Sequence, residues 1–257
     1  MFNVGSDKIK FISTVSGLES IDEFIPKPAK NFIPQWFKDI PNSDPLTVKI
    51  CPSFPDYFSQ GYIIPMWSDV KLKWDGSTWS WDTPDKQNAW FAHGQNQFLD
   101  YTKASFNGVE GQFVFKAICP WRIITPPGWS VLQLPLFYHF NQEWSVLPGV
   151  IDTDIHTEIN QQVLYHGNSK EIQISAGDPF VLYIPFKRSN KLKSIVRYQT
   201  EEDIKLFKKQ DLMFKNLFSP HGWYRKMQRK RDKKERDIKR YRESDRHTQM
   251  DMSGVGV

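Results

Sequence analysis

Four side chains able to take part in acid–base or metal chemistry occupy alternate positions of one short segment. They are Asp152, Asp154, His156 and Glu158. On a straight β-strand alternate residues point to the same side, so the spacing predicts that all four share one face. His156 and Glu158 on such a face could contribute two ligands to a metal ion.

The metal interpretation requires at least one further ligand, and the sequence offers none at a suitable distance. A His-x-Glu pair on a strand resembles the metal pair of cupin-like oxygenases, which also use a histidine from a later strand of the same barrel. His166 follows His156 after only ten residues, and His221 lies in the C-terminal helical region. We therefore expect no metal and no cofactor. A polar strand that faces solvent or a neighbouring subunit is the simpler interpretation.

Many short apolar segments, separated by Pro and Gly, must position this run. Asp75-Gly76 predicts a hairpin turn between two of them. The full set of predicted strand regions is 62–67, 70–74, 78–81, 112–118, 121–125, 129–134, 149–163, 171–174 and 180–186. This pattern is typical of a mainly β sandwich or barrel rather than of an α/β sheet. The 10 Trp and 19 Phe residues supply ample core material, since large flat side chains suit sheets.

Proline-rich and charged regions flank this β domain, which we place at residues 51–199. Residues 1–50 predict an extended arm with a short helix around Gln35–Asp39. Aromatic side chains should anchor the arm on the body or on a neighbouring subunit. Residues 200–247 predict a helical appendage, because Thr200 precedes three acidic residues, as at a capped helix N-terminus. Residues 248–257 form a tail.

The positive charge of the chain is concentrated in the second half of that appendage. Residues 223–247 carry 12 Lys and Arg against 5 Asp and Glu, a net charge of +7, whereas the other 22 basic and 24 acidic residues sum to −2. A concentrated basic segment can contact phosphates or an acidic surface without reading sequence. The candidate contact residues are Arg225, Lys226, Arg229, Lys230, Arg231, Lys233 and Lys234.

Two segments resemble motifs of the trimeric dUTPase and dCTP-deaminase family. Residues 149–159 are similar to its Gly-x-Ile-Asp-x-Asp strand, and Gly177-Asp178 is similar to the turn before its last core strand. The resemblance implies a β-clip or jelly-roll-like barrel. It also implies that Asp152 orients the attacking water, with Arg122, Gln133 and Asp154 as nucleotide contacts and Mg²⁺ as the cofactor.

The same resemblance fails where phosphates should bind. The family's Pro-Arg-Ser signature is replaced by Pro135-Leu136-Phe137, which has neither a guanidinium nor a hydroxyl group, and Ile155 stands where the family has its sugar-packing Tyr. A triphosphate needs charged donors. The sequence therefore favours a dUTPase-like fold without the activity.

A second resemblance covers residues 51–188 and is to a family of unknown function found in phages, notably cyanobacterial phages, and in some bacteria. Its marks occur in the same order here, from Cys51-Pro52 through Thr125–Trp129 and Gly149–Asp154 to Pro185–Arg188. The family brings no known activity. It directs our first hypothesis to a non-catalytic structural protein, and the alternative is a divergent dUTPase-like or dCTP-deaminase-like hydrolase or a nucleotide-binding regulator.

The first hypothesis implies particular partners and locations. We expect a homo-oligomer that contacts other virion or assembly proteins, with sequence-independent nucleic-acid contact through the basic helix. The N-terminus lacks the basic and apolar regions of a signal peptide, and no apolar run reaches the roughly 18 residues of a membrane helix. We therefore expect the host cytoplasm and then the virion, and no membrane.

Overall fold

Strands dominate the computed structural model, which describes residues 8–41, 47–75, 78–84, 90–93, 114–167, 169–189, 192–215, 226–227 and 229–237. The predicted mainly β class is confirmed. The chain divides into two compact units, one of Met1–Asp39 with Tyr57–Leu192 and one of Ile40–Asp56 with Lys193–Val257. All of the named strands lie in the first unit.

Fourteen named strands make up four antiparallel sheets, and each sheet is open in the described part of the chain. The strands are β1 (Lys10–Ser13), β2 (Lys27–Pro28), β3 (Tyr62–Pro65), β4 (Val70–Trp74), β5 (Trp79–Asp82), β6 (Trp90–Ala92), β7 (Val114–Ala117), β8 (Trp121–Ile124), β9 (Trp129–Leu134), β10 (Trp144–Val146), β11 (Gly149–Ile151), β12 (Gln161–Tyr165), β13 (Glu171–Ile174) and β14 (Pro179–Lys187). The sheet orders are β1-β8, β10-β12-β7-β6, β11-β9-β14-β3-β2 and β13-β4-β5.

The central strand of the largest sheet is β14, which pairs with β9 on one side and β3 on the other. Its middle residues, Phe180 to Tyr183, are buried, as expected for a strand covered on both faces. Gly61 enters β3 with a φ of 69°, and a Cβ there would lie 2.1 Å from the Tyr183 carbonyl oxygen. Only glycine allows this approach of the chain to β14.

One large apolar cluster fills the first unit. It contains Ile64, Phe115 and Val163, each fully buried, together with Trp90 and Trp121 from other strands. Aromatic rings meet edge to face in this cluster, as at Trp79 and Phe115, whose ring centroids are 5.7 Å apart. Trp67, Trp79, Trp90 and Trp121 are therefore core residues.

Residues 8–39 pack against the strands of their own chain. Strand β1 pairs with β8, and β2 pairs with β3. The predicted short helix is present as α1 (Gln35–Asp39). Phe37 in this helix is buried against Phe58, and the Trp36 indole donates a hydrogen bond to the Tyr138 carbonyl oxygen at 2.7 Å. Residues 8–39 of the predicted arm therefore lie on the β body of their own chain.

The other named α-helices are α2 (Ser53–Phe58) and α3 (Glu201–Lys215), and short 3₁₀ helices are formed by Leu18–Ser20, Ala29–Phe32, Val48–Ile50 and Phe137–His139. The predicted cap at Thr200 is present, because its Oγ1 accepts a hydrogen bond from the Asp203 N–H while the Asp203 carboxylate accepts from the Thr200 N–H at 2.7 Å. Residues 226–227 and 229–237 are also helical and exposed. No helix in the described ranges is long and apolar enough to cross a membrane.

The prediction of a continuous strand through Glu158 is wrong. Strand β11 ends at Ile151, and the Asp152 carbonyl oxygen then accepts hydrogen bonds from the N–H groups of Ile155 (2.9 Å) and His156 (2.8 Å), which makes a turn. Because a turn breaks the period of two, the four polar side chains do not share one face. The residues between them do not share a face either, because Thr153 is buried and Ile155 is exposed.

Candidate functional site

Asp154 lies at the centre of a polar cluster that joins three segments of the first unit. Its Oδ1 accepts a hydrogen bond from Arg188 at 2.9 Å, and its Oδ2 accepts one from the second terminal nitrogen of Arg188 at 2.5 Å and one from the Gly128 N–H at 2.7 Å. The Asp154 side chain is only 7% exposed. The Arg188 hydrogen bonds are the main cause that lowers the pKa of Asp154, so this carboxylate is ionised at neutral pH.

Asp152 sits on the more open side of the same cluster. Its Oδ1 accepts a hydrogen bond from the Ser130 hydroxyl at 2.6 Å and lies 3.3 Å from an Arg188 nitrogen. The same Arg188 nitrogen also donates to the Ser130 Oγ and to the Trp129 carbonyl oxygen, both at 2.9 Å. The Asp152 side chain is 49% exposed, so it is the more accessible of the two carboxylates.

The local chain path explains why these groups meet. Gly128 has a φ of 82°, which lets the 126–129 turn reverse the chain before β9. Its carbonyl oxygen accepts a hydrogen bond from the Arg188 N–H at 3.0 Å, just past the end of β14. The buried Thr125 and Thr153 hydroxyls are 2.8 Å apart, and this contact holds the 152–155 turn against the 126–129 turn.

Arg122 and Glu158 form a separate ion pair, with 2.7 Å between the guanidinium nitrogen and the carboxylate oxygen. Hydrogen bonds from Arg122, and then from Asn160, lower the pKa of Glu158. His156 is exposed beyond the 152–155 turn. Within the described ranges no three His, Cys, Asp or Glu side chains are grouped closely enough to hold a metal ion.

Gln133 belongs to a polar network inside the core. Its Oε1 accepts a hydrogen bond from the Tyr183 hydroxyl at 2.8 Å, and its Nε2 donates to the Leu147 carbonyl oxygen. The Tyr183 hydroxyl in turn accepts from Gln161 at 2.7 Å. Burial is the main cause that raises the pKa of Tyr183 well above its ordinary value, and burial raises the pKa of Cys119 to about 12. Gln133 thus lies 2% exposed in the interior.

The structure therefore brings together only part of the predicted set. Asp152 and Asp154 share one cluster, whereas Arg122 with Glu158 and Gln133 lie in two other environments. The basic residues Lys226, Arg229, Lys230, Arg231, Lys233 and Lys234 are exposed on a helix, and Arg231 pairs with Asp232 at 3.0 Å. Arg225 lies outside the described residues.

Sequence reasoning missed Arg188 and Ser130 as members of the cluster. The sequence marks Arg188 only as the last residue of the Pro185–Arg188 motif. Its position one residue after β14 could have placed it near the end of β9, because those strands pair through Lys187 and Trp129. No local pattern marks Ser130 as a partner of an acid that lies 22 residues later.

Comparison with known proteins gives structural likenesses only. No family model matches the chain, and no curated protein matches it. The native dUTPase of EIAV is 12% identical, with 55% of this chain and 86% of that chain covered and a TM-score of 0.30. Two structures of the dUTPase from phage phi11 of S. aureus, one of them a point mutant, are each 8% identical and cover 76% of this chain. The mutant is covered to 100% with a TM-score of 0.36, and the other to 99% with a TM-score of 0.32.

Proposed function

We propose that this protein is a non-catalytic structural protein that self-associates, and that it serves as a component of a phage particle. The observation that carries the proposal is a run of exposed apolar side chains shortly after β14, the last named strand. The resemblance of its motifs to a phage family directs the proposal to a virion. The homo-oligomer and the contact with other assembly proteins belong to the same proposal.

The exposed run comprises Leu192, Ile195, Val196 and Tyr198. These side chains are 96%, 83%, 96% and 86% exposed, respectively. Residues 192–200 form neither a helix nor a strand, and their side chains are exposed. An extended apolar segment of this kind can bind a surface on another chain through side-chain pockets and main-chain hydrogen bonds.

The free energy of burying these apolar side chains favours association with a second copy over permanent exposure. Burying a side chain of this size contributes about 1.5–3 kcal/mol. Four such side chains are therefore sufficient to offset a large part of the entropy cost of bringing two chains together, which is about 4–15 kcal/mol. A second copy is the occupant we commit to, since every molecule supplies the same segment and the same β domain.

The polar cluster supports the non-catalytic part of the proposal. Both carboxylate oxygens of Asp154 are occupied by donors from its own chain, and Oδ1 of Asp152 is held by Ser130 and Arg188. These groups join the ends of β9, β11 and β14. The guanidinium of Arg188 is therefore engaged in holding the fold instead of being available to a phosphate.

Light scattering coupled to gel filtration tests self-association directly. The double variant I195D/V196D places charges in the apolar run, and S194D is the control because it places a carboxylate at an exposed polar position of the same segment. We expect the wild type and S194D to share an oligomeric mass at micromolar concentration, and the double variant to be monomeric. A monomeric wild type would refute self-association. Absence of the protein from purified particles, measured by mass spectrometry, would refute the virion assignment.

One observation favours a second candidate function, a divergent nucleotide hydrolase or nucleotide-binding regulator. Asp152 keeps half of its side chain exposed and is oriented by Ser130 and Arg188, as a residue that positions water would be. The test is incubation of the full chain with dUTP or dCTP and Mg²⁺, with pyrophosphate release measured for wild type and D152N. Hydrolysis that disappears in D152N would replace the structural proposal, because loss of a water-orienting group costs several powers of ten in rate.

A further inference from the structure

One cavity of the first unit shares no lining residue with the acidic cluster of Asp152, Asp154 and Arg188. It has a volume of about 440 Å³ and is formed by the 135–146 segment together with residues 178–180. This volume falls in the range of small-molecule sites, which are about 300–1,000 Å³. The cavity is therefore large enough for a compact organic ligand of one or two rings.

Two aromatic rings in this cavity face solvent. Phe137 is 66% exposed and Phe140 is 51% exposed, and both belong to a short 3₁₀ turn and its end. Exposure of aromatic rings to water is unfavourable, and exposed rings in a concave site are typical of a surface that a ligand covers. Their ring planes are inclined by 62° with centroids 6.2 Å apart, so they form two walls at an angle and do not make a parallel-sided slot.

The backbone at Phe140 is strained. Its φ of 51° makes it the one non-glycine residue with positive φ in the described ranges. For a bulky aromatic residue this conformation costs about 1–3 kcal/mol and tends to occur at functional sites. The strain is held by the packing of Phe140 against Trp36 at 5.6 Å and Tyr138 at 6.2 Å. The ring is thus kept at the cavity at the expense of stability.

The polar groups of the cavity set the charge of its ligand. None of its described lining residues is Lys or Arg, and the acidic residue Asp178 is one of them. Burial is the main cause that lowers the pKa of His139, the one histidine in the lining, so its ring is neutral at pH 7. A phosphate or another anion would meet a carboxylate with no opposite charge to offset the repulsion. Nucleotides are therefore disfavoured here.

Fixed amides supply directional hydrogen bonding. The Asn141 Oδ1 accepts hydrogen bonds from the N–H groups of Glu143 and Trp144, both at 2.9 Å, which immobilises that side chain and leaves Nδ2 as a donor. The Gln142 Nε2 donates to the Phe140 carbonyl oxygen at 3.0 Å, which leaves Oε1 as an acceptor. A purely apolar occupant would leave the Asn141 Nδ2 and the Gln142 Oε1 without partners, which is unfavourable.

We propose that this cavity binds a neutral carbohydrate. A pyranose ring carries C–H groups on its faces, which can lie against the inclined rings of Phe137 and Phe140. Its hydroxyl groups both donate and accept, so they match Asn141, Gln142 and Asp178 at the same time. A flat base would require parallel ring faces, and an anion would require a cation in the lining.

Saturation-transfer NMR and calorimetry on the full-length protein test the proposal. The probes are the neutral methyl glycosides of glucose, galactose and N-acetylglucosamine, with dUTP and choline as comparison ligands. We expect at least one glycoside to bind through its C–H face. The variants F137A and F140G should each weaken that binding at least tenfold, whereas F91A, which removes an aromatic side chain that is 52% exposed outside the cavity, should leave it unchanged.

The F140G variant separates loss of binding from loss of folding. Glycine adopts positive φ without strain, so F140G removes the ring and relieves the backbone together. Its melting temperature should therefore stay close to that of the wild type. The proposal would be overturned if no neutral glycoside binds, if binding survives both cavity variants, or if dUTP or choline binds in place of the glycosides.

Discussion

Replacing Asp154 with Asn should destabilise the first unit although the side chain keeps its size. Asp154 accepts three hydrogen bonds, two from Arg188 and one from Gly128. An Asn side chain offers one oxygen, and its NH₂ group would face donors. Hydrogen bonds to charged groups contribute about 1.5–3 kcal/mol each, and partial exposure of Arg188 reduces the ion-pair part. We therefore expect D154N to lower the free energy of unfolding by about 2–3 kcal/mol.

Thermal unfolding followed by circular dichroism measures this effect. For a unit of this size each kcal/mol shifts the melting temperature by about 2–4 °C, so D154N should melt about 4–12 °C below the wild type. The matched control is D22N. Asp22 pairs with Lys27 at 2.7 Å, but its side chain is 88% exposed, so we expect no measurable change. If D154N melts no lower than D22N, the cluster does not hold the fold.

The loss of stability in D154N should depend on pH in a defined direction. Hydrogen bonds from Arg188 are the main cause that holds the pKa of Asp154 below its ordinary value of 3.8. The unfolded state therefore binds this proton more readily than the folded state. The stabilisation is complete well above pH 3.8 and is lost as the pH falls through that value towards the lower pKa of the folded state. The difference in melting temperature between the wild type and D154N should accordingly shrink in acid. A constant difference would contradict the ion pair.

Three further predictions follow from other parts of the chain. Y183F should lower the free energy of unfolding by about 1–3 kcal/mol, because the buried amides of Gln133 and Gln161 lose a shared partner; equal urea midpoints for Y183F and wild type would contradict this. Deletion of residues 1–39 should yield unfolded or aggregated protein in gel filtration, since it removes β1, β2 and the buried Phe37; recovery of a folded shortened chain would show that the body does not need the arm. Deletion of residues 223–257 should abolish any salt-sensitive, sequence-independent nucleic-acid binding seen in gel shifts, and equal binding by both forms would exclude the basic helix as the contact.

Several regular elements of the first unit could be predicted because their signals are local, whereas β1, β2, β6 and β10 match no predicted strand. The strand predicted at 180–186 is β14, the hairpin predicted around Asp75-Gly76 joins the paired strands β4 and β5, and helix α1 occupies the predicted residues 35–39. In each case alternation of apolar residues or a proline boundary is contained within about ten residues. The Thr200 cap is equally local.

The acidic segment could not be predicted in the same way because its partners are distant. Alternation from Asp152 to Glu158 suits a strand, yet the turn is stabilised by Thr125, which lies 28 residues from Thr153 in sequence, and by Arg188, which lies 34 residues from Asp154. Many pairings of acids with basic residues are compatible with the same composition. Only the tertiary fold determines which of these pairs form, and the local alternation of residues carries no information about partners so far away in sequence.

The central position of β14 has a consequence for how the chain is made. Tyr62 in β3 pairs with Tyr183, so the two strands that must meet are synthesised 121 residues apart. A ribosome releases β3 and β9 long before the strand that fits between them emerges. Until then both present unpaired edges and apolar faces, which attract other nascent chains. Such long-range pairing is also intrinsically slow. We therefore expect the yield of folded protein to depend on translation speed and on chaperones that shield β3 and β9 until the last strand of the sheet arrives.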